Sequence, residues 1–172
     1  QGAYNEGAEL DWVADFPAEF IVKRDPNGNW VKWTGSAYAS LITGLNAYVS
    51  CMAESPDGKV YVGGQFTTAG GIPVAARIAR WNPITEEWEA LGIDETGATL
   101  LGVNCMAFDA NGDLYIGGSF SNLGSTDGDG IVKLSNLSGT PTVSNLGTGL
   151  GSTPLAIAIA PHGDVYVGGQ FT

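Results

Sequence analysis

The sequence predicts an all-β protein of four-stranded antiparallel blades, about three blades' worth in 172 residues. Three observations carry this reading. One phrase occurs three times: "KVYVGGQF" from residue 59, "DLYIGGSF" from 113 and "DVYVGGQF" from 164. Aligned on their tyrosines, Tyr115 follows Tyr61 by 54 residues and Tyr166 follows Tyr115 by 51. A period near 50 suits one antiparallel sheet per repeat. Each phrase is preceded by a turn signal, Asp57-Gly58, Asn111-Gly112 or His162-Gly163. Asp-Gly and Asn-Gly between apolar runs predict two-residue hairpins in which both turn residues take positive φ. Glycine, finally, is present 26 times, where average usage would give about 12.

The elements follow in order within each unit. Strand A is a small-residue run: "VSCMAESP" from 49, "VNCMAFDA" from 103, "LAIAIAPH" from 155. Strand B is the repeated phrase. In it Val60, Val62, Gly64 and Phe66 share one face and Tyr61, Gly63 and Gln65 the other, so both faces carry apolar residues and both are expected to be covered. The glycine pair removes Cβ from both faces at one level, which lets a backbone or an aromatic ring approach closely. Strand C is "ARIARW" from 76 and "GIVKL" from 130; strand D is "EWEAL" from 87 and "VSNLG" from 143. Units of this kind, buried on both sides, are what stacked propeller blades require.

Residues 1–28 fit the repeat poorly. Trp12, Phe16 and Phe20 recur every four residues, a helical spacing that Pro17 limits. The segment reads as an N-terminal arm, or as a piece packed on the chain's own blades. A further turn signal, Asn27-Gly28, lies between "EFIVKR" and "NWVKW". The repeat domain runs over 29–172: a partial blade at 29–48, blades at 49–102 and 103–154, and a partial blade at 155–172.

The string "VYVGGQFTTAGGIPVAARIARWNPITEEWEALG" resembles the kelch-like β-propeller repeats of bacterial surface proteins and bacteriophage structural proteins. The shared features are Gly-Gly-x-Phe, Ala-Gly-Gly, Ile-Ala-x-Trp and a closing Trp and Leu-Gly. The next copy departs from them, with Leu134 in place of Trp81 and the loop "NLGSTDGDG" in place of Ala-Gly-Gly. The resemblance implies a propeller fold and a binding or assembly role in an extracellular, cell-surface or virion setting.

Three blades' worth of strands is fewer than the four to eight that close a ring. The sequence allows a fragment whose ring continues elsewhere, two copies that complete a six-bladed ring, or an open stack capped by other subunits. An unpaired strand B near the end of the third copy is a sticky edge. The expected partners are therefore the chain itself or other subunits of a larger assembly, with a glycan as a further candidate.

Acidic residues outnumber basic ones 18 to 7, a formal charge of −11. Nucleic acid and anionic membranes reward Lys and Arg, so neither is expected as a partner. The chain has no run of 18 apolar residues to span a bilayer. No basic n-region precedes an apolar stretch, and the first residue is Gln1, which fits a removed leader or a fragment.

The search for chemistry returns little. The one histidine, His162, sits in a turn with no recognisable nucleophile nearby. Cys51 and Cys105 occupy the same place in successive copies and read as core; they supply too few ligands for zinc. Asp127 and Asp129 offer carboxylates to a cation, but without the remaining ligands of a calcium loop. Trp30, Trp33 and Tyr38 are candidates for stacking on a sugar, as are Trp81 and Trp88, although aromatics at matched positions serve first as core between blades. Asn136-Leu137-Ser138 matches a glycosylation sequon. Glu54, Asp94 and Glu95 cannot be paired across a cleft from sequence. No catalytic residue, cofactor or metal is expected. The reading is a non-enzymatic structural or binding module in a phage-tail, capsid-associated or extracellular assembly, with a carbohydrate-binding adhesin or receptor-binding protein as the alternative.

Overall fold

The computed structural model describes residues 22–24, 30–32, 44–93, 98–123 and 129–170. It is all-β, with two four-stranded antiparallel sheets that resemble propeller blades and are not closed into a ring. Strands β1 (Val22–Arg24) and β2 (Trp30–Lys32) pair antiparallel as a two-stranded sheet, and the Asn27-Gly28 signal lies outside the described residues. The first blade is β3 (Val49–Glu54), β4 (Val60–Gly64), β7 (Ile78–Asn82) and β8 (Glu87–Ala90), adjacent in that order. Between β4 and β7 the Ala-Gly-Gly segment forms a small hairpin, β5 (Thr68–Ala69) with β6 (Ile72–Pro73). The second blade is β9 (Thr99–Phe108), β10 (Leu114–Ser121), β11 (Ile131–Ser135) and β12 (Thr142–Asn145). A third, half blade consists of β13 (Pro154–Ile159) and β14 (Val165–Gly169) alone.

The glycine pairs mark a bulge in every A–B hairpin. Val49 lies opposite Gly64 and Cys51 opposite Gly63, which leaves Ser50 as an extra residue on β3. Asn104 is the extra residue on β9, and Leu155 on β13. An extra residue bends its strand toward the partner. A Cβ on Gly64 would stand 1.9 Å from the Tyr48 carbonyl oxygen, and one on Gly118 2.2 Å from that of Gly102. Gly63 serves a different neighbour, since its missing Cβ makes room for the side chains of Met106 and Val103 in the next blade.

The A–B turns are not the expected two-residue type. Gly58 donates its N–H to the Ser55 carbonyl while Ser55 N–H bonds the Lys59 carbonyl; residues 109–113 and 160–164 repeat the pattern. Only the glycines, Gly58, Gly112 and Gly163, take positive φ there. These are three-residue loops, a type I turn followed by a left-handed glycine. Pro56 and Pro161 favour this form, because the proline ring fixes φ near −65° at the first corner of a type I turn.

The core is the seam between blades. Tyr61, Ile78, Leu91 and Ile93 of the first blade pack with Val103, Met106, Leu114, Ile116, Phe120, Val132 and Leu134 of the second. Tyr61 meets Phe108 edge-on at 5.0 Å. A smaller cluster joins Leu45, Val62, Phe66, Ala69, Val74 and Ala79 on the first blade's other side.

Candidate functional site

The sequence candidates do not converge. Trp33, Tyr38, Asp127, Asp94 and Glu95 lie outside the described residues, as do Trp12, Phe16 and Phe20. Trp30 is in β2. Asp129 is exposed, and its backbone carbonyl accepts a bond from Leu150 N–H at 2.9 Å, closing the loop before β11 onto the turn after β12. Trp81 and Trp88 meet edge-on at 5.3 Å as neighbours on β7 and β8. His162 is exposed and, among the described residues, reaches Asp164 alone, at 3.0 Å. Among the described residues no three His, Cys, Asp or Glu side chains gather to hold a metal.

The cysteines are free thiols on the innermost strands, each turned to the glycine opposite it in the sheet: Cys51 to the Gly63 carbonyl, Cys105 to that of Gly117. Burial, with a smaller push from neighbouring Cys105, raises the Cys51 thiol to about 12. Burial raises Cys105 to about 11. Thiolate is the reacting species, so native protein at pH 8 is expected to react with a disulfide reagent more than about 100-fold slower than an unshifted thiol near 8.5. Denaturant should restore the full rate; a fast native reaction would refute the burial. A raised folded value contributes stability that is present below the unfolded value and lost as pH rises through the folded one. The alkaline arm of the stability curve should therefore fall from about pH 8.5 upward.

A cleft of about 300 Å³ opens where the A–B turns of both blades meet the turn after β11, rimmed by Ser55, Asp57, Asn111, Asp113, Asn136 and Ser138. A hydrogen bond from Ser55 holds the Asp57 carboxyl below its ordinary range, and one from Lys133 does the same for Asp113. Lys133 Nζ stands 2.9 Å from Asp113. Both carboxylates are thus already engaged by groups of their own blade.

The feature that stands apart is the half blade. Tyr61, Tyr115 and Tyr166 hold one repeat position, yet they are 1 %, 8 % and 60 % exposed. Tyr61 is covered by the second blade and lies in β4, which pairs with β7 on its other side. Tyr115 lies in β10, paired with β11, and its blade packs against β13. Tyr166 lies in β14, which among the described residues is bonded to β13 alone. On the same face a Cβ at Gly168 would meet only the Ala156 methyl, at 4.0 Å, where one at Gly63 would collide with Met106. Identical letters thus have different surroundings: among the described residues no strand pairs with the far side of β14 and no blade covers the Tyr166 face. Position in the repeat does not reveal this; the unpaired strand B in the third copy was its only sequence signal.

Residues 55–83 match the model of a family described as "Domain of unknown function (DUF5122) beta-propeller". The crystal structure of virginiamycin B lyase from Staphylococcus aureus overlaps with a TM-score of 0.48 at 18 % identity, over 87 % of this chain and 42 % of that one. The chain therefore spans less than half the length of the lyase. No curated protein matches the sequence. The match supports a β-propeller-like domain and does not reach the kelch-like or phage-associated character that the motif suggested. The reading as a non-enzymatic structural module, a virion component or a carbohydrate-binding adhesin is corrected, since the structure that overlaps is that of an enzyme. At that identity the likeness concerns the fold and transfers no activity to this chain.

Proposed function

We propose that this chain supplies consecutive blades to a larger β-propeller and joins it through the half blade, where the β14 edge takes further strands and the Tyr166 face takes a further blade. The observation that carries the reading is the exposure of Tyr166 beside its two buried equivalents. Unpaired strand edges and uncovered apolar faces both favour association. Leu155, the extra residue of the β13 bulge, adds a second exposed apolar side chain.

Light scattering across a concentration series tests the reading. The expected result is a mass above that of one 17.8 kDa chain, with Tyr166 protected from nitration in the associated form. Tyr166→Asp should hold the protein at single-chain mass without loss of fold. A chain that stays single at all concentrations, with Tyr166 nitrated freely, overturns it.

A further inference from the structure

Granting that the half blade is a docking site, we infer that its occupant is the β1–β2 hairpin of a second copy of this chain, and that two such exchanges close a six-bladed ring with twofold symmetry. The inference rests on register. In the first blade Tyr61 lies opposite Arg80, and in the second Tyr115 lies opposite Lys133. Each time strand C brings an aliphatic residue and then a base to the tyrosine: Ala79-Arg80 and Val132-Lys133. Strand β1 reads Val22-Lys23 and is already paired with a following strand, as β7 is with β8 and β11 with β12. Laid beside β14 in the shared register, Lys23 falls opposite Tyr166 and Val22 opposite Val167.

Charge complementarity points the same way. Asp113, two residues before Tyr115, is the partner of Lys133. Asp164 holds the equivalent place before Tyr166, is exposed, and lacks a lysine or arginine partner among the described residues. Lys23 in the register above supplies that base.

The hairpin and the half blade each have two strands, and together they make one blade. Three blades' worth of strands is too few to close a ring. Two chains give six. The reciprocal exchange makes the two seams equivalent, as twofold assemblies require.

The second seam surface is visible at the other end of the stack. Met106 is 8 % exposed and fills the space over Gly63, whereas Met52, its repeat equivalent, is 48 % exposed. The space over Gly168 is open. A second copy whose β1–β2 hairpin completes the half blade brings its own first blade next in order, and Met52 then seats on Gly168. Val62, Ala79 and Trp81 are already buried, so the new contact on that blade lies along its inner strand.

Cross-linking tests the register. Directly opposed residues of antiparallel strands have Cα atoms within disulfide reach. Lys23→Cys and Tyr166→Cys chains, mixed and oxidised, should give a covalent two-chain species by non-reducing gel and native mass spectrometry, which neither variant gives alone. Lys23→Glu should weaken association by about tenfold or more, and Asp164→Lys placed on the Lys23→Glu chain should restore it. Gly168→Leu, at a site open in the single chain, should block association without unfolding it. Association with Tyr166 protected but no Lys23–Tyr166 cross-link would overturn this occupant and leave the docking site standing. In a chain that carries both Lys23→Cys and Tyr166→Cys, a cross-link within that single chain would also overturn it. No association at all would remove both readings.

Discussion

Gly118→Ala is expected to unfold the chain under conditions in which the unaltered protein is folded. The added methyl would stand 2.2 Å from the Gly102 carbonyl oxygen and 2.9 Å from the Val103 Cα. Both are backbone atoms of the adjacent β9, held in register immediately before the bulge at Asn104. No rotamer change relieves such a contact. Relief requires opening the β9–β10 ladder at the blade's centre, where Gly118 N–H also bonds the Gly130 carbonyl. The expected loss is about 3 kcal/mol or more, a large fraction of the 5–15 kcal/mol typical of a domain. Gly64→Ala should behave alike, with its methyl 1.9 Å from the Tyr48 oxygen. Gly71→Ala and Gly92→Ala are the controls. They sit at φ of +81° and +68° with nothing within 4 Å, so only backbone preference is lost, about 1–2 kcal/mol. Urea midpoints followed by far-ultraviolet circular dichroism separate the classes. A Gly118→Ala midpoint inside the control range would refute the close approach.

The glycine pairs also show how far the sequence could be read. Gly-Gly inside an apolar strand announces that something comes close, and repetition at Gly63, Gly117 and Gly168 makes it structural. It does not say that the approaching group at Gly64 is the backbone of a bulged strand A, because Ser50, Asn104 and Leu155 share no residue type that advertises a bulge. The turn chemistry was legible and misread. Asp-Gly suggests a two-residue hairpin, but Pro56 and Pro161 one place earlier select the longer loop through their fixed φ. The order of strands A to D was plain because apolar residues alternate onto both faces of each phrase. The proposed docking site was only half visible. Tyr166 reads like Tyr61 in the sequence, and the difference in exposure follows from which described strands pack beside each, a property of neighbours rather than of letters. The expectation of a module without enzymatic activity rested on missing motifs, and the absence of a recognisable motif is not an observation about activity.

Arg80→Met is expected to cost about 2–3 kcal/mol and to loosen the seam between the two full blades. The guanidinium is a bracket. Its Nε donates to Glu89 Oε2 at 2.6 Å and its Nη2 lies 2.5 Å from the same oxygen. Its Nη1 reaches the Tyr61 hydroxyl at 3.2 Å and the Leu137 carbonyl, which belongs to the turn after β11 in the second blade. Methionine keeps most of the apolar stem and removes every donor, which leaves the Tyr61 and Leu137 oxygens without this partner. Arg80 retains some exposure, so solvent screening sets the expected loss below that of a fully buried pair. Lys133→Met removes a single ion pair at a more exposed site and should cost about 1 kcal/mol or less. The acid arm supplies a second reading. Burial pushes the Glu89 carboxyl up, but hydrogen bonds from Asn82 and Arg80 outweigh it and hold the group below its ordinary range. A lowered folded value contributes stability that is present above the unfolded value, about 4.3, and lost as pH falls through the folded one. Without Arg80 that loss should shrink, so the variant and the parent should converge in stability as pH falls below 4. Equal urea midpoints at pH 7, or a gap that widens in acid, would show that Arg80 decorates the seam and does not hold it.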